Sequence, residues 1–147
     1  MKFLNRFKDD IYSLLRLMTG LLFLQHGTTK YLSFPVTKYS GVDPTSLIGM
    51  AGMIELVGGA LVAVGLFTRP AAFLCSGCMA VAYFHEHFPQ SFFPILNWGE
   101  LSALYCFVFF YIAAAGGGRR EMEHRRHAQG RRLTLPPAAS NLLRPFQ

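Results

Sequence analysis

Ionisable side chains interrupt the long apolar stretches of this chain at only a few positions. Glu55 is the single charged residue between Gly49 and Phe67, and His26 and Glu100 lie in or beside two other apolar stretches. Carboxylates and imidazoles in apolar surroundings can transfer protons to and from a bound molecule. We therefore predict His26, Glu55 and Glu100 as proton-handling, catalytic residues.

A second set of polar residues lies near the predicted catalytic ones and can hold a polar ligand. Charges among apolar residues must find partners whatever the protein does. The same residues are therefore equally explained by a structural network of Arg or His with Glu. Both interpretations stay open at this point. The predicted ligand-binding residues are Arg16, Gln25, Lys30, His85, Asn97 and Trp98.

Metal binding is a third interpretation of the polar residues. His85 and His87, with Glu86 between them and His26 elsewhere, offer imidazole and carboxylate ligands. Residues two apart on a helix point in different directions, so the spacing suits a metal only if the helix has already ended there. We therefore favour proton transfer over metal binding and predict no metal site. His85 and His87 are the weak candidates for one.

Three cysteines remain, and we expect them to be packing residues. Cys75 and Cys78 form a C-x-x-C motif inside an apolar stretch, without the strand and helix start that surround a thioredoxin-like motif. Cys106 is most simply a core residue, because free cysteine is commonly buried. No structural disulfide is predicted.

The apolar stretches themselves indicate which medium surrounds these residues. Of the 147 residues, 52% are hydrophobic and 15% are charged, which is apolar for a soluble domain of this length. A helix needs about 20 mostly apolar residues to cross a bilayer, and four segments come close. None of them has a polar face, so we predict an all-α, integral membrane four-helix bundle. The predicted helices cover residues 11–31, 47–67, 70–88 and 98–115.

The distribution of Lys and Arg predicts the orientation. Basic residues are concentrated in residues 1–10, in the turn at Arg69 and in residues 118–147, which places both termini in the cytoplasm. Arg16 interrupts the first segment, which we read as a retained helix and not a cleaved signal peptide. We expect the basic tail, 118–147, to be disordered and to meet the lipid bilayer, with no nucleic-acid partner.

Several motifs together make the chain resemble the DoxX family of small bacterial inner-membrane proteins. They are "QHGTTK" (25–30), "IELVGGALVAVGLFTRPAA" (54–72) and "HEHFPQSFFPILNWGELSALYCFVFFYIAAAGGG" (85–118). The resemblance runs from Arg16 to Gly118 and implies a multi-pass four-helix domain, about 11–117, in the bacterial plasma membrane. Trp98 departs from the family's pattern, which has Gly there.

The resemblance implies two kinds of function. The family name comes from a terminal quinol oxidase, and related subunits belong to a thiosulfate:quinone oxidoreductase. We therefore expect a membrane component of a quinone-linked or thiol/sulfur-linked redox system, with an outward-facing polar pocket, quinone as the candidate cofactor and an oxidoreductase as partner. The alternative is a non-catalytic assembly protein whose buried Arg/His/Glu network is structural. A homo-oligomer fits either.

Overall fold

A computed structural model describes residues 2–118. They contain helices and no strand, which confirms the all-α class; the predicted tail beyond Gly118 lies outside the described residues. The elements are α1 (Lys2–Asn5), α2 (Lys8–Leu32), α3 (Leu47–Val64), α4 (Thr68–Ala82), a π-helical turn (Tyr83–His87), α5 (Pro94–Asn97) and α6 (Glu100–Ala115).

The first two long helices end where local backbone chemistry dictates. α2 begins three residues before the predicted position, with Asp9 and Asp10 in its first turn, where acidic side chains favour a helix start. α3 ends at Val64, because Gly65 adopts a left-handed conformation with φ 79°. The Gly65 N–H donates to the carbonyls of Leu61 and Val62, which terminates the helix three residues before the predicted end.

The later segments differ more from the predicted bounds. Residues 70–88 were expected to form one helix, but α4 ends at Ala82 and continues into the π-helical turn. α6 begins at Glu100 and not at residue 98, because Trp98 has a left-handed backbone with φ 59° that ends α5. Pro94 occupies the first position of α5, where proline is well tolerated.

Glycines bring the backbones of α2 and α3 into close antiparallel contact. A Cβ atom added to Gly20 would lie 2.6 Å from the backbone N of Ala63. One added to Gly59 would lie 2.8 Å from the backbone N of Leu24. Small residues of this kind let transmembrane helices approach each other closely. This packing fixes the register in which α2 presents its polar side chains to α3.

Side chains, and not backbones, join the remaining helices. The Phe23 ring of α2 packs on Phe109 of α6 with 4.7 Å between ring centroids. Ser76 of α4 donates a hydrogen bond to the Cys106 carbonyl of α6 at 2.8 Å. Near the first and last described residues, the Tyr12 hydroxyl donates a hydrogen bond to the Gly116 carbonyl at 2.5 Å. The Tyr12–Gly116 contact lies at one end of the described bundle, which we call the terminal end. Loops 33–46 and 88–99 lie at the other end, which we call the loop end.

The outer surface of the bundle is apolar. Large side chains are exposed on every long helix, for example Leu74, Phe107 and Phe110, while Arg16, Glu55 and Asn97 are buried. Within the described residues, α3 is the one helix that is both long and apolar enough to cross a membrane; α6 is apolar but has 16 residues. α4 has 15 residues, because the π-helical turn replaces its last predicted turn.

Candidate functional site

An ion pair inside the bundle joins α2 to α3. The Lys30 ammonium donates to Oε2 of Glu55 at 2.6 Å. The two side chains are only 11% and 6% exposed. Gly52, one turn from Glu55 on α3, makes room for the lysine stem, since a Cβ atom at Gly52 would lie 2.8 Å from Lys30 Cδ. The glycine contacts between α2 and α3 therefore hold two opposite charges in direct contact.

The loop from Ser33 to Ser46 connects α2 to α3 and is attached to the end of α2 that carries Lys30. Ser46 accepts a hydrogen bond from the Gly49 N–H and so caps the start of α3. Within the loop, the Thr45 N–H and hydroxyl donate to Asp43 at 2.9 and 2.8 Å, and they lower the pKa of that carboxyl. The Gly41 N–H donates to the Lys30 carbonyl at 3.0 Å, which attaches the loop to the end of α2.

Cys78 of α4 lies at the level of Glu55. Gly58 of α3 faces Cys75 of α4, because a Cβ atom at Gly58 would lie 2.5 Å from the Cys75 sulfur. The helices run in opposite directions, so three residues toward the loop end bring Glu55 level with Cys78. Cys78 is partly buried and packs against the core of the bundle. An ammonium, a carboxylate and a thiol from three helices thus lie in one region.

Arg16 lies at the terminal end of α3, away from this region. Its guanidinium donates to the carbonyls of Val62 and Ala63, the latter at 3.0 Å. These carbonyls belong to the last turn of α3, where cations stabilise the helix dipole. The side chain also packs over Gly65, where a Cβ atom would lie 2.7 Å from Nη1. Arg16 therefore caps the last turn of α3, and its contacts there lie two helical turns from Glu55.

Four other predicted site residues are exposed, and the structure does not bring them to the ion pair. Gln25 and His26 lie on the outer face of α2, beside the buried Gly27. Glu100 is exposed in the first turn of α6. His85 is exposed on the π-helical turn and pairs with its neighbour Glu86 at 3.0 Å.

A second polar cluster fixes the loop between α4 and α6. Asn97 is 0% exposed; its amide donates to the Ser91 carbonyl at 2.7 Å, and its Oδ1 accepts from the Gly99 N–H at 2.7 Å. His87 Nδ1 lies 2.9 Å from the Asn97 carbonyl, and Nε2 lies 3.3 Å from the Ser102 hydroxyl. Trp98 is 84% exposed. Asn97 and His87 thus hold the loop in shape while Trp98 projects outward.

The chain is similar to one protein family and to a bacterial relative. The DoxX family profile matches residues 11–87, about half of the chain. A relative from Haemophilus influenzae, described as "Uncharacterized protein", is 43% identical over 115 residues, covering 74% of this chain and 84% of the relative. The chain belongs to the DoxX family. No solved structure matches it.

Membership of the DoxX family makes this a membrane protein, which agrees with its apolar exterior and with the burial of Arg16, Glu55 and Asn97. The matched region contains the ion pair and both cysteines of the C-x-x-C motif. Residues 88–99 and Glu100 lie beyond the matched region. The description of the Haemophilus relative names no activity.

The two histidines near the loop end are not placed as metal ligands in this DoxX-family protein. His85 contacts Glu86, whereas His87 contacts the Asn97 carbonyl and Ser102, so the two rings have different partners. Among residues 2–118, no group of three or more His, Cys, Asp or Glu side chains is placed to hold a metal ion.

Two members of the polar region were not singled out as partners by the sequence. Lys30 was predicted as one of several ligand-binding residues, and Cys78 was interpreted as packing. The signal for Lys30 was its spacing: Gly20, Gly27 and Lys30 follow one helical face that meets α3. Cys78 reaches the level of Glu55 only because of the register in which α4 packs on α3. Residue spacing within a single helix does not predict that register.

The Asn97 cluster leads to a first prediction. Replacing Asn97 by Ala is expected to lower the free energy of unfolding by about 1–3 kcal/mol, the usual cost of leaving a buried polar group without a partner. The Ser91 carbonyl loses its bond from the Asn97 amide, while the Gly99 N–H keeps its bond to the Pro94 carbonyl at 3.2 Å. Unfolding of the purified protein in mixed micelles of increasing denaturing detergent measures the change. Trp98→Phe, at an exposed neighbouring position, is the control and should leave stability unchanged.

Proposed function

We propose that this protein is a multi-pass inner-membrane component of a redox system, in which Lys30 and Glu55 form the polar centre of a ligand site. The observation that carries the proposal is the buried Lys30–Glu55 pair at 2.6 Å inside an apolar bundle, with Cys78 of α4 at the level of Glu55. Ionisable residues within membrane segments are costly, and they commonly mark ligand, proton or ion pathways.

The ligand class follows from what these groups can bind. An ammonium donates hydrogen bonds to carbonyl or anionic oxygens, and a carboxylate accepts and releases protons. A quinone head group offers carbonyl oxygens, and its reduction consumes two protons with two electrons. A small oxidised sulfur compound offers anionic oxygens to the same ammonium. Lys30 would orient either ligand, and Glu55 would supply or accept its protons.

Glu55 takes the central proton-handling role in this proposal. It is buried beside a cation, whereas His26 and Glu100 are exposed on α2 and α6. We assign to those two exposed groups no direct contact with the ligand. Lys30 lies in the last turn of α2, near the loop end, so a ligand reaches the pair from that end of the bundle.

The orientation in the membrane completes the proposal. Basic residues at the terminal end, such as Arg6, Lys8 and Arg69, favour a cytoplasmic position for that end. The loop end then faces outward, and the polar region lies in the outer half of the bilayer. The four helices would cross the membrane together, with the shorter α4 and α6 supported by their packing on each other.

The test is retention of a small molecule by the pair. We expect protein purified from native membranes to carry a quinone, detected by solvent extraction and mass spectrometry, or to bind a short-chain benzoquinone in equilibrium dialysis. A double variant, Lys30→Met with Glu55→Met, should bind at least about tenfold more weakly, since a hydrogen bond to a charged group contributes about 1.5–3 kcal/mol. Glu100→Gln, at an exposed position, is the matched control and should bind normally.

The alternative is a non-catalytic assembly protein whose polar groups are structural. It is favoured by the placement of Arg16 and Asn97, whose hydrogen bonds to backbone groups stabilise a helix end and a loop. If wild type and the double variant retain no quinone and bind the benzoquinone equally, the redox proposal is wrong. Recovery of a stoichiometric oxidoreductase in gentle detergent by both proteins would then support the assembly role.

A further inference from the structure

The loop between α4 and α6 has its polar groups inside and its apolar groups outside. We call residues 88–99 the aromatic loop. Asn97 is fully buried at its centre, and His87 of the preceding turn is half-buried against it. The large apolar side chains of the loop are all exposed: Phe88, Phe92, Phe93, Ile95, Leu96 and Trp98.

This arrangement is the reverse of what water selects. A surface loop in water normally exposes polar side chains and buries its apolar ones, and contiguous exposed apolar surface marks contact with another apolar medium or molecule. Single exposed apolar residues need no explanation, but here six of the twelve loop residues share the pattern. The medium outside the aromatic loop is therefore apolar or amphipathic.

The outward direction of these side chains is built into the backbone. Trp98 has φ 59°, and the Gly99 N–H that follows donates both to Asn97 Oδ1 and to the Pro94 carbonyl. Gly99 has no space for a side chain, because a Cβ atom there would lie 2.7 Å from the Tyr83 ring. The hydrogen-bonded core of the loop thus fixes Trp98 on the outside.

The exposed apolar surface of the loop continues onto the adjoining helices. Phe84 precedes it, and Leu101 and Leu104 follow it on α6, all of them exposed. The exposed ionisable side chains of this region are His85, Glu86 and Glu100, which lie beside the loop. Apolar rings next to charged and hydrogen-bonding groups match the boundary between acyl chains and headgroups, where Trp and other amphipathic aromatic residues are enriched.

We propose that the aromatic loop is inserted into the bilayer at the boundary between phospholipid headgroups and acyl chains, on the side of the loop end. Phe92, Ile95 and Trp98 contact lipid, while Asn97 satisfies the backbone groups that lipid cannot hydrogen-bond. The loop is thus a membrane anchor and not an aqueous loop. The inference depends on the membrane location alone and is independent of the redox role.

The chain contains one tryptophan, so Trp98 reports on its own surroundings. We expect Trp98 fluorescence in lipid nanodiscs to be strongly quenched by phospholipids brominated near the top of the acyl chains. Lipids brominated near the chain ends should quench less, and aqueous iodide should quench little. Nanodiscs expose both faces to iodide, so the orientation of the protein does not affect the result.

A matched variant calibrates the depth. Trp98→Phe combined with Phe107→Trp moves the reporter to an exposed position on α6, about 10 Å along the helix from its start at Glu100 at 1.5 Å per residue. Its quenching should be greatest with bromines deeper in the acyl chains. Strong iodide quenching of Trp98 without bromine quenching would place the loop in water and overturn the proposal. Protection from both quenchers would also overturn it, by showing that a protein surface covers the loop.

Discussion

Replacing Lys30 by Met should lower the free energy of unfolding by about 3–5 kcal/mol, because removing one partner of a buried ion pair leaves the other charge uncompensated. Glu55 is 6% exposed and has the Lys30 ammonium as its partner at 2.6 Å. Its carboxylate would remain among apolar helices. Unfolding in mixed micelles of increasing denaturing detergent at neutral pH provides the measurement.

The double variant Lys30→Met with Glu55→Met separates the charge effect from packing. Replacing a whole buried pair with apolar side chains of similar volume is often neutral or stabilising. We therefore expect the double variant to recover most of the stability that Lys30→Met loses, while ligand binding stays lost. If the double variant were less stable than the single one, the pair would contribute through packing and not through its charges.

Replacing Gly59 by Ala should lower the free energy of unfolding by about 1–3 kcal/mol, the usual cost of extra methyl groups in a well-packed interior. The new Cβ would lie 2.8 Å from the Leu24 N and 3.0 Å from the Gly20 carbonyl oxygen. Both are backbone atoms of α2, so α2 and α3 would have to move apart. That movement should also lengthen the contact between Lys30 and Glu55.

Gly77 on α4 is a matched control for Gly59. A Cβ atom at Gly77 meets no atom within 4 Å. Gly77→Ala should therefore leave stability unchanged or raise it by up to about 1 kcal/mol, because Ala has the higher helix propensity. Unfolding in the same detergent series compares the two variants. Equal effects at Gly59 and Gly77 would show that helix propensity, and not the close approach of α2 and α3, determines the outcome.

The inward position of Glu55 was predictable from sequence, and its partner was only partly so. A carboxylate in the middle of an apolar helix has to face the bundle, and the glycines around it indicated the packing face. Arg16, His26 and Lys30 were all available to meet it on the first segment. The choice of Lys30 depends on the antiparallel register that Gly20 and Gly59 impose. That register is a property of two helices together.

The loop end was the least predictable part of the structure. Pro89 and Pro94 are incompatible with one continuous helix through this region. No residue type in the sequence predicts the π-helical turn or the left-handed backbone of Trp98. Trp is a bulky residue that seldom adopts positive φ. Here Asn97 stabilises the turn through bonds to Ser91 and Gly99, and His87 closes the cluster from another element. These hydrogen bonds therefore outweigh the preference of Trp98 for negative φ.

The position of the ion pair within one helical hairpin has a consequence for biosynthesis. Lys30 and Glu55 lie on consecutive helices, α2 and α3, whose close contact depends on their own glycines. Chains are made from the N-terminus, so this hairpin is complete before α4 and α6 leave the ribosome. The two charges can neutralise each other at the translocon, and the hairpin can then enter lipid as an electrically neutral unit.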